Sequence, residues 1–166
     1  MCHPPIIAVC GVKNSGKTTF LSGLLPLLRA QGLRVAVIKH DGHDFEPDVP
    51  GTDSHCLRAA GAEGVAVFSA HRYALTEARP GLTPEALAAL FPDYDLVLLE
   101  GGKHTTYPKL EVVRGAVSAA PVSNPAGLLA LVTDVAGLCC GQAPTLGLAD
   151  YEAACALITG HLKGLQ

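Results

Sequence analysis

The stretch GVKNSGKTT, residues 11–19, decides the fold of this chain of 166 residues. It matches the pattern GxxxxGK[ST] and lies between a predicted strand, residues 6–10, and a segment of helical spacing that ends near Gly32. A glycine-rich turn that opens a helix directs several amide donors and the positive end of the helix dipole at one anion. The stretch therefore predicts a phosphate-binding loop. The alternative is a glycine-rich turn that binds nothing.

Three side chains of this stretch carry the predicted chemistry. Lys17 would bridge the β- and γ-phosphate oxygens as an exposed, mobile charge, and the Thr18 hydroxyl would ligate Mg²⁺. Lys13 is a second cation in the loop, for which a solvated lysine is the simpler interpretation. We therefore expect the site to hold a nucleotide together with its metal.

The rest of the chain alternates short apolar runs with helical segments, which is typical of an α/β protein. With the phosphate-binding loop, this pattern predicts a three-layer P-loop NTPase fold, a mostly parallel sheet with helices on both faces. Further strands are predicted at 34–39, 65–69, 96–99, 110–114 and 128–133, an edge strand at 72–79, and helices at 54–60, after the N-cap Thr83 and after the N-cap Asp150.

Composition limits the domain organisation and the partners. The length and the hydrophobic fraction of 49% predict a single domain, residues 1–166. A net charge of −3 argues against nucleic acid and anionic membranes as partners. The six cysteines form no CxxC pair and no leader or spanning segment is evident, so we expect reduced thiols in a cytoplasmic protein, with Cys139 and Cys140 as buried apolar side chains.

A metal that bridges two phosphates needs a carboxylate at the end of a neighbouring strand. Glu100 follows the apolar run 96–99 and is the predicted Mg²⁺ ligand, whereas Asp95 lies at the other end of that strand. Gly101 and Gly102 would then let the backbone approach the γ-phosphate. The alternative for Glu100 is an ordinary surface residue.

The polar segment after the second strand, residues 40–54, is predicted to be a nucleotide-sensing switch. Its His40 and His43 have the spacing of metal ligands, but no CxxC accompanies them, and capping or solvated side chains are favoured over structural zinc. Asp53 belongs to this segment and is a third candidate Mg²⁺ ligand beside Thr18 and Glu100.

Asp134 is the candidate for base selection. It ends the predicted strand 128–133, and a carboxylate can accept both N1–H and N2–H₂ of guanine, which adenine does not offer. An aspartate that starts a turn is the alternative.

Together these segments resemble the MobB family, the GTP-binding adaptor proteins B of molybdopterin-guanine dinucleotide biosynthesis. The resemblance covers most of the chain and rests on GVKNSGKTT, IKHDGHDF, PGTDSHCLRAAGA, HRYAL and LVLLEGGKHTTYPKLEVVR in one order, and more loosely on LALVTD and the last helix. One departure is Gly102, where the family more often has a bulky aromatic residue.

The resemblance implies a set of ligands and partners. It implies Mg²⁺ and GTP, a homodimer with an extended sheet, weak GTPase activity and association with the guanylyltransferase MobA, with molybdopterin as a further candidate ligand. It also implies that Arg58 and Lys103 lie near the nucleotide or the partner, although either could be a solvated charge. The residues it places at GTP are Gly11, Lys13, Asn14, Ser15, Gly16, Lys17, Thr18, Thr19 and, at the base, Asp134.

Two functions of different classes are compatible with these features. The first is a GTP-binding adaptor that is at most a slow GTPase. The second is a small-molecule kinase, which needs cations over the transferred phosphoryl group, commonly arginines of a late lid. Residues 115–162 contain no Lys or Arg, which favours the adaptor, although Arg72, Arg79 or Arg114 could supply a cation from elsewhere.

Overall fold

A computed structural model describes residues 3–42 and 45–165, and their contacts divide into two compact units. The first comprises the described residues up to His40 and those from Pro84 onward, and the second runs from Asp41 to Thr83. Whether the chain behaves as one domain stays a prediction. The elements in chain order are β1 Ile6–Cys10, α1 Lys17–Ala30, β2 Val35–Lys39, α2 Asp53–Ala59, β3 Gly64–Phe68, β4 Tyr73–Glu77, α3 Pro84–Ala88, β5 Leu96–Glu100, β6 Lys109–Val113, β7 Leu128–Thr133, β8 Thr145–Leu146 and α4 Tyr151–Lys163.

The first unit is built on a six-stranded sheet of order β2-β5-β1-β6-β7-β8, in which every neighbouring pair is parallel. Because successive side chains of a strand point to opposite faces of the sheet, β1 contributes side chains to two hydrophobic cores. Ile7 and Val9 pack with α1 and α4, whereas Ile6 and Ala8 pack with α3. Helices therefore cover both faces of the sheet, which confirms the three-layer P-loop NTPase fold.

The second unit contains α2 and an antiparallel hairpin of β3 and β4. The predicted edge strand 72–79 is correct as a strand at Tyr73–Glu77, but it pairs only with β3 among the described strands. The helix α2 begins one residue earlier than predicted, because the Thr52 hydroxyl accepts the His55 N–H and caps it.

Three details near the C-terminal end differ from expectation. The two-residue strand β8 was not predicted, because so short a strand has no periodicity. Asp150 holds the N-cap position of α4, but its carboxylate accepts the N–H of Gly147 at 2.7 Å and does not cap the helix. The predicted burial of both Cys139 and Cys140 is wrong: Cys139 is exposed and Cys140 half-buried, because the connection that carries them lies beyond β7 and outside the core.

No helix among the described residues has both the length and the apolar character needed to cross a membrane.

Candidate functional site

The loop between β1 and α1 has the backbone that its sequence predicts. Gly11 has φ +135°, and a Cβ there would lie 2.3 Å from the Val112 carbonyl oxygen, so β6 leaves room only for glycine. Asn14 and Gly16 also adopt positive φ, and Gly16 is the N-cap residue of α1. The chain therefore turns sharply from a buried strand into a helix N-terminus.

The start of α1 offers donors to an anion. The N-cap residue Gly16 has no side chain to cap the helix, and the first turn of α1 carries no acidic residue. The amide groups of this turn and the positive end of the helix dipole thus face the loop. A helix N-terminus of this kind can bind phosphate through its backbone N–H groups alone.

Ser15 supplies an independent sign that the loop is built for a ligand. Its side chain is buried, and its hydroxyl has no hydrogen-bond partner among the described residues. A buried polar atom left in this state costs about 1–3 kcal/mol. A phosphate oxygen in the loop would give this hydroxyl an acceptor, so the residues present fit the group that the motif predicts.

Lys17 is not the exposed charge that the sequence predicts. It is half-buried, and its Nζ donates to the carbonyl oxygens of Val12 at 2.7 Å and Gly11 at 3.3 Å. Burial lowers its pKa most, and the positive charges of Lys39 and Lys103 act in the same direction, whereas Glu100 acts against them. The Lys17 ammonium therefore lies against the loop 11–16. There a bound phosphate could replace the two carbonyl oxygens as its hydrogen-bond acceptor.

Thr18 and Glu100, the two predicted Mg²⁺ ligands, meet in the structure. The Thr18 hydroxyl donates to Oε1 and Oε2 of Glu100 at 2.9 and 3.0 Å. Parallel pairing of β1 with β5 sets Val9 beside Glu100, which is 8% exposed, so the carboxylate lies at the edge where the loop starts. A hydroxyl and a carboxylate in contact are a suitable donor pair for Mg²⁺.

The third predicted ligand, Asp53, is the first residue of α2 and belongs to the second unit. Its part in metal binding stays a prediction. In the segment 40–54, His43 and Asp44 of HDGHDF lie outside the described residues. Among residues 3–42 and 45–165, no group of three His, Cys, Asp or Glu side chains could hold a metal ion.

The turn after β5 accommodates the glycine that departs from the MobB pattern. Gly102 has φ +70°, and a Cβ there would lie 2.9 Å from Leu99 Cδ2 and 3.4 Å from the Thr105 hydroxyl oxygen. Gly101, with φ +120°, lies against His40, whose N–H donates to the Glu100 carbonyl oxygen. The turn beside Glu100 is therefore tightly packed as well as conformationally demanding.

Asp134 follows β7, two strands from β1, at the same end of the sheet as Glu100. It is exposed, and its Oδ1 accepts the Gly115 N–H at 2.6 Å. This bond fixes the start of the connection that follows β6. The contact between Asp134 and a base stays a prediction.

Lys13, Asn14 and Thr19 are exposed in the loop and on α1, and Arg58 lies in the second unit. Arg58 forms ion pairs with Glu46 at 2.6 Å and Asp48 at 3.4 Å. These pairs tie the segment before α2 to the helix. Contact of Arg58 with a nucleotide or a partner stays a prediction.

Sequence reasoning gave no role to Lys109 and Glu111, although both are fully buried in β6. Lys109 Nζ donates to the carbonyl oxygens of Thr105, Asn124 and Ala126, at 2.5, 3.1 and 2.9 Å. It therefore joins the segment after Glu100 to the segment before β7. The sequence signal is two opposite charges at i and i+2 in an otherwise apolar strand.

The Glu111 carboxylate holds the same connection from the neighbouring position. Its Oε1 accepts the Val122 and Ser123 N–H groups at 2.6 and 3.1 Å, and its Oε2 accepts the Ser123 hydroxyl at 2.6 Å. Cys10 lies close to these groups, and burial is the main cause that raises its pKa to about 11. The loop 11–16 thus begins at the end of β1, which lies close to the buried charges of Lys109 and Glu111.

Comparison with known proteins identifies relatives of this chain. The profile of a family described as molybdopterin guanine dinucleotide synthesis protein B, MobB, matches residues 6–134. The molybdopterin-guanine dinucleotide biosynthesis adapter protein of Escherichia coli strain K12 is 38% identical over 122 residues, 70% of each chain. The Haemophilus influenzae adapter protein is 38% identical over 109 residues, 64% of this chain and 61% of that protein.

Solved structures show the same relationship. The crystal structure of Bacillus subtilis MobB has a TM-score of 0.77 at 32% identity and covers 96% of this chain and 99% of that chain. The MobB homolog from Bacillus stearothermophilus has a TM-score of 0.73 at 25% identity, with 96% and 98% covered.

Proposed function

Because this chain belongs to the MobB family of molybdopterin guanine dinucleotide biosynthesis adapter proteins, we propose that it binds GTP with Mg²⁺ at residues 11–19. The contact between Thr18 and Glu100 carries this proposal, and the buried Ser15 hydroxyl, which has no hydrogen-bond partner within residues 3–42 and 45–165, supports it. The loop amides and Lys17 would hold the phosphate chain, and Thr18 and Glu100 would hold the metal. The metal would draw charge from the phosphate oxygens.

The proposed role is that of an adaptor for the guanylyltransferase, MobA in the family's naming, that joins a GMP unit to molybdopterin. Segment 40–54 would respond to the γ-phosphate, and the chain would present nucleotide or molybdopterin to that enzyme. Hydrolysis by the chain itself would be slow. No residue of 115–162 is Lys or Arg, so the late lid of a kinase has no counterpart here, and phosphoryl transfer to a small molecule is not proposed.

Titration calorimetry with GTP and Mg²⁺ tests nucleotide binding. We expect the wild-type chain to bind, and Lys17→Met to weaken binding by about 10-fold or more, since it removes a charge-assisted phosphate contact. Lys163→Met is the matched control, because Lys163 is exposed at the end of α4. Absence of binding by the wild-type chain would contradict the proposal.

Association with the enzyme is tested separately. Immobilised chain should capture the guanylyltransferase in the presence of a GTP analogue, and mass spectrometry of the eluate would reveal bound pterin. Capture that fails with and without nucleotide would refute the adaptor role while leaving nucleotide binding intact.

A homodimer is also part of the proposal, with a second copy covering the β3–β4 hairpin. Phe68, Tyr73 and Leu75 lie on one face of the hairpin and are 82%, 70% and 56% exposed. An exposed apolar face of this kind is typical of an interaction surface, so its burial against a second copy would be stabilising. Sedimentation should show a dimer that Phe68→Glu disrupts and that the control Leu90→Glu, at a side chain 56% exposed in the first unit, leaves intact. A monomeric wild-type chain would contradict this.

A further inference from the structure

Lys39 and Lys17 both lie near Glu100. Lys39 pairs with Glu100, and Lys17 directly precedes Thr18, whose hydroxyl donates to the same carboxylate. Glu100 is the acidic group near both lysines, and the chain as a whole carries a net charge of −3. Positive charge is therefore concentrated at this end of the sheet, against the overall balance of the chain.

Lys39 has a position that follows from the sheet. It is the last residue of β2, and the parallel register of β2 with β5 sets it beside Glu100, the last residue of β5. Its Nζ lies 3.9 Å from Glu100 Oε1, and its side chain is 60% exposed whereas that of Glu100 is 10% exposed. The ammonium thus reaches the candidate metal site from the solvent side, on a flexible stem.

Lys39 and Thr18 share one carboxylate oxygen of Glu100. Glu100 Oε1 also accepts the Thr18 hydroxyl at 2.9 Å. With Mg²⁺ held by Thr18 and Glu100, the carboxylate would be neutralised and the Lys39 ammonium would lose its partner. The terminal phosphate of a bound nucleotide would then offer Lys39 other anionic oxygens.

We propose that Lys39 distinguishes a nucleoside triphosphate from a diphosphate at this site. In the nucleotide-free chain the Lys39 ammonium pairs with Glu100, and with Mg²⁺ and a triphosphate bound it pairs with oxygens of the terminal phosphate. A diphosphate lacks those oxygens, so Lys39 gains no partner from it. This inference rests on the proposed nucleotide binding and adds the residue that would favour a nucleotide with three phosphates over one with two.

Calorimetry with a non-hydrolysable GTP analogue and with GDP, both with Mg²⁺, tests the proposal. Lys39→Met keeps the aliphatic stem and should lower affinity for the analogue about 10-fold, as expected for loss of one charge-assisted contact. Affinity for GDP should change by less than about twofold, because an exposed ion pair is weak. Lys39→Arg should retain the preference, and Lys163→Met should match the wild-type chain.

The outcomes separate this inference from the proposed function. An equal loss for analogue and GDP, or no loss for either, would overturn the role of Lys39 while nucleotide binding stands. Failure of the wild-type chain to bind either nucleotide would overturn both. Since Lys39 is exposed, the variants should fold, and circular dichroism would verify this.

Discussion

The Thr18 hydroxyl donates to both carboxylate oxygens of Glu100, at 2.9 and 3.0 Å, although 82 positions separate the two residues in the chain. The pairing of β1 with β5 produces this contact, since it brings the end of one strand beside the loop that follows the other. A hydroxyl and a carboxylate in contact are oxygen donors of the kind that Mg²⁺ prefers, so we expect the cation to bind between them.

Glu100→Gln should reduce Mg²⁺-dependent affinity for GTP about 10-fold, because a neutral amide is a poorer ligand for a hard cation. Calorimetry with and without a chelator measures the effect. Asp95→Asn is the control, since Asp95 lies at the opposite end of β5 and accepts the Arg34 N–H. Equal affinities for both variants would argue against Glu100 as a ligand.

Asp134→Asn should lower the ratio of GTP to ATP affinity about 10-fold, because an amide cannot accept both guanine donors. The asparagine oxygen can still accept the Gly115 N–H, so the local fold should persist. Asp150→Asn is a matched control, because that carboxylate accepts a backbone N–H of Gly147 in the same way. If the ratio stays unchanged, Asp134 has no part in base selection.

Lys109→Met should lower the free energy of unfolding by about 1–3 kcal/mol, since it leaves the carbonyl oxygens of Thr105, Asn124 and Ala126 without the ammonium that donates to them. Urea unfolding measures the loss. The exposed Lys163→Met should change the value by less than about 0.5 kcal/mol. Similar stability of the two variants would show that the buried charges do not hold the connection 115–127.

Stability should fall as pH rises from 9 towards 11, because burial raises the Cys10 pKa from 9.0 to about 11. A thiol with a raised folded pKa contributes stability that is complete below its unfolded pKa and lost above it. The contribution is about 2–3 kcal/mol. Urea unfolding of wild type and Cys10→Ala isolates it: the wild-type chain should lose more stability over this range, and parallel pH curves would contradict the assignment.

Hydrogen exchange in residues 40–54 should slow when a GTP analogue replaces GDP, because the terminal phosphate would order the switch segment. Peptides from the buried strand Leu128–Thr133 serve as the reference. Identical protection of 40–54 in both complexes would exclude the switch.

The sequence predicts the central site because GVKNSGKTT and the apolar strands carry strong local signals. It predicts Glu100 for the same reason, as the residue that ends a buried strand. It does not predict the roles of Lys109 and Glu111, because their burial depends on backbone groups of residues 105–126 that only the fold brings together. The sequence also predicts the two strands of the hairpin. It does not predict that they form a sheet of their own, because strand pairing depends on residues that are distant in the chain.

A crystal structure with Mg²⁺ and a non-hydrolysable GTP analogue would decide whether residues 11–19 hold the nucleotide. We expect phosphates enclosed by residues 11–19, with the metal bound by Thr18 and Glu100. An empty loop in crystals grown at saturating nucleotide, with Thr18 still bonded to Glu100, would contradict this expectation.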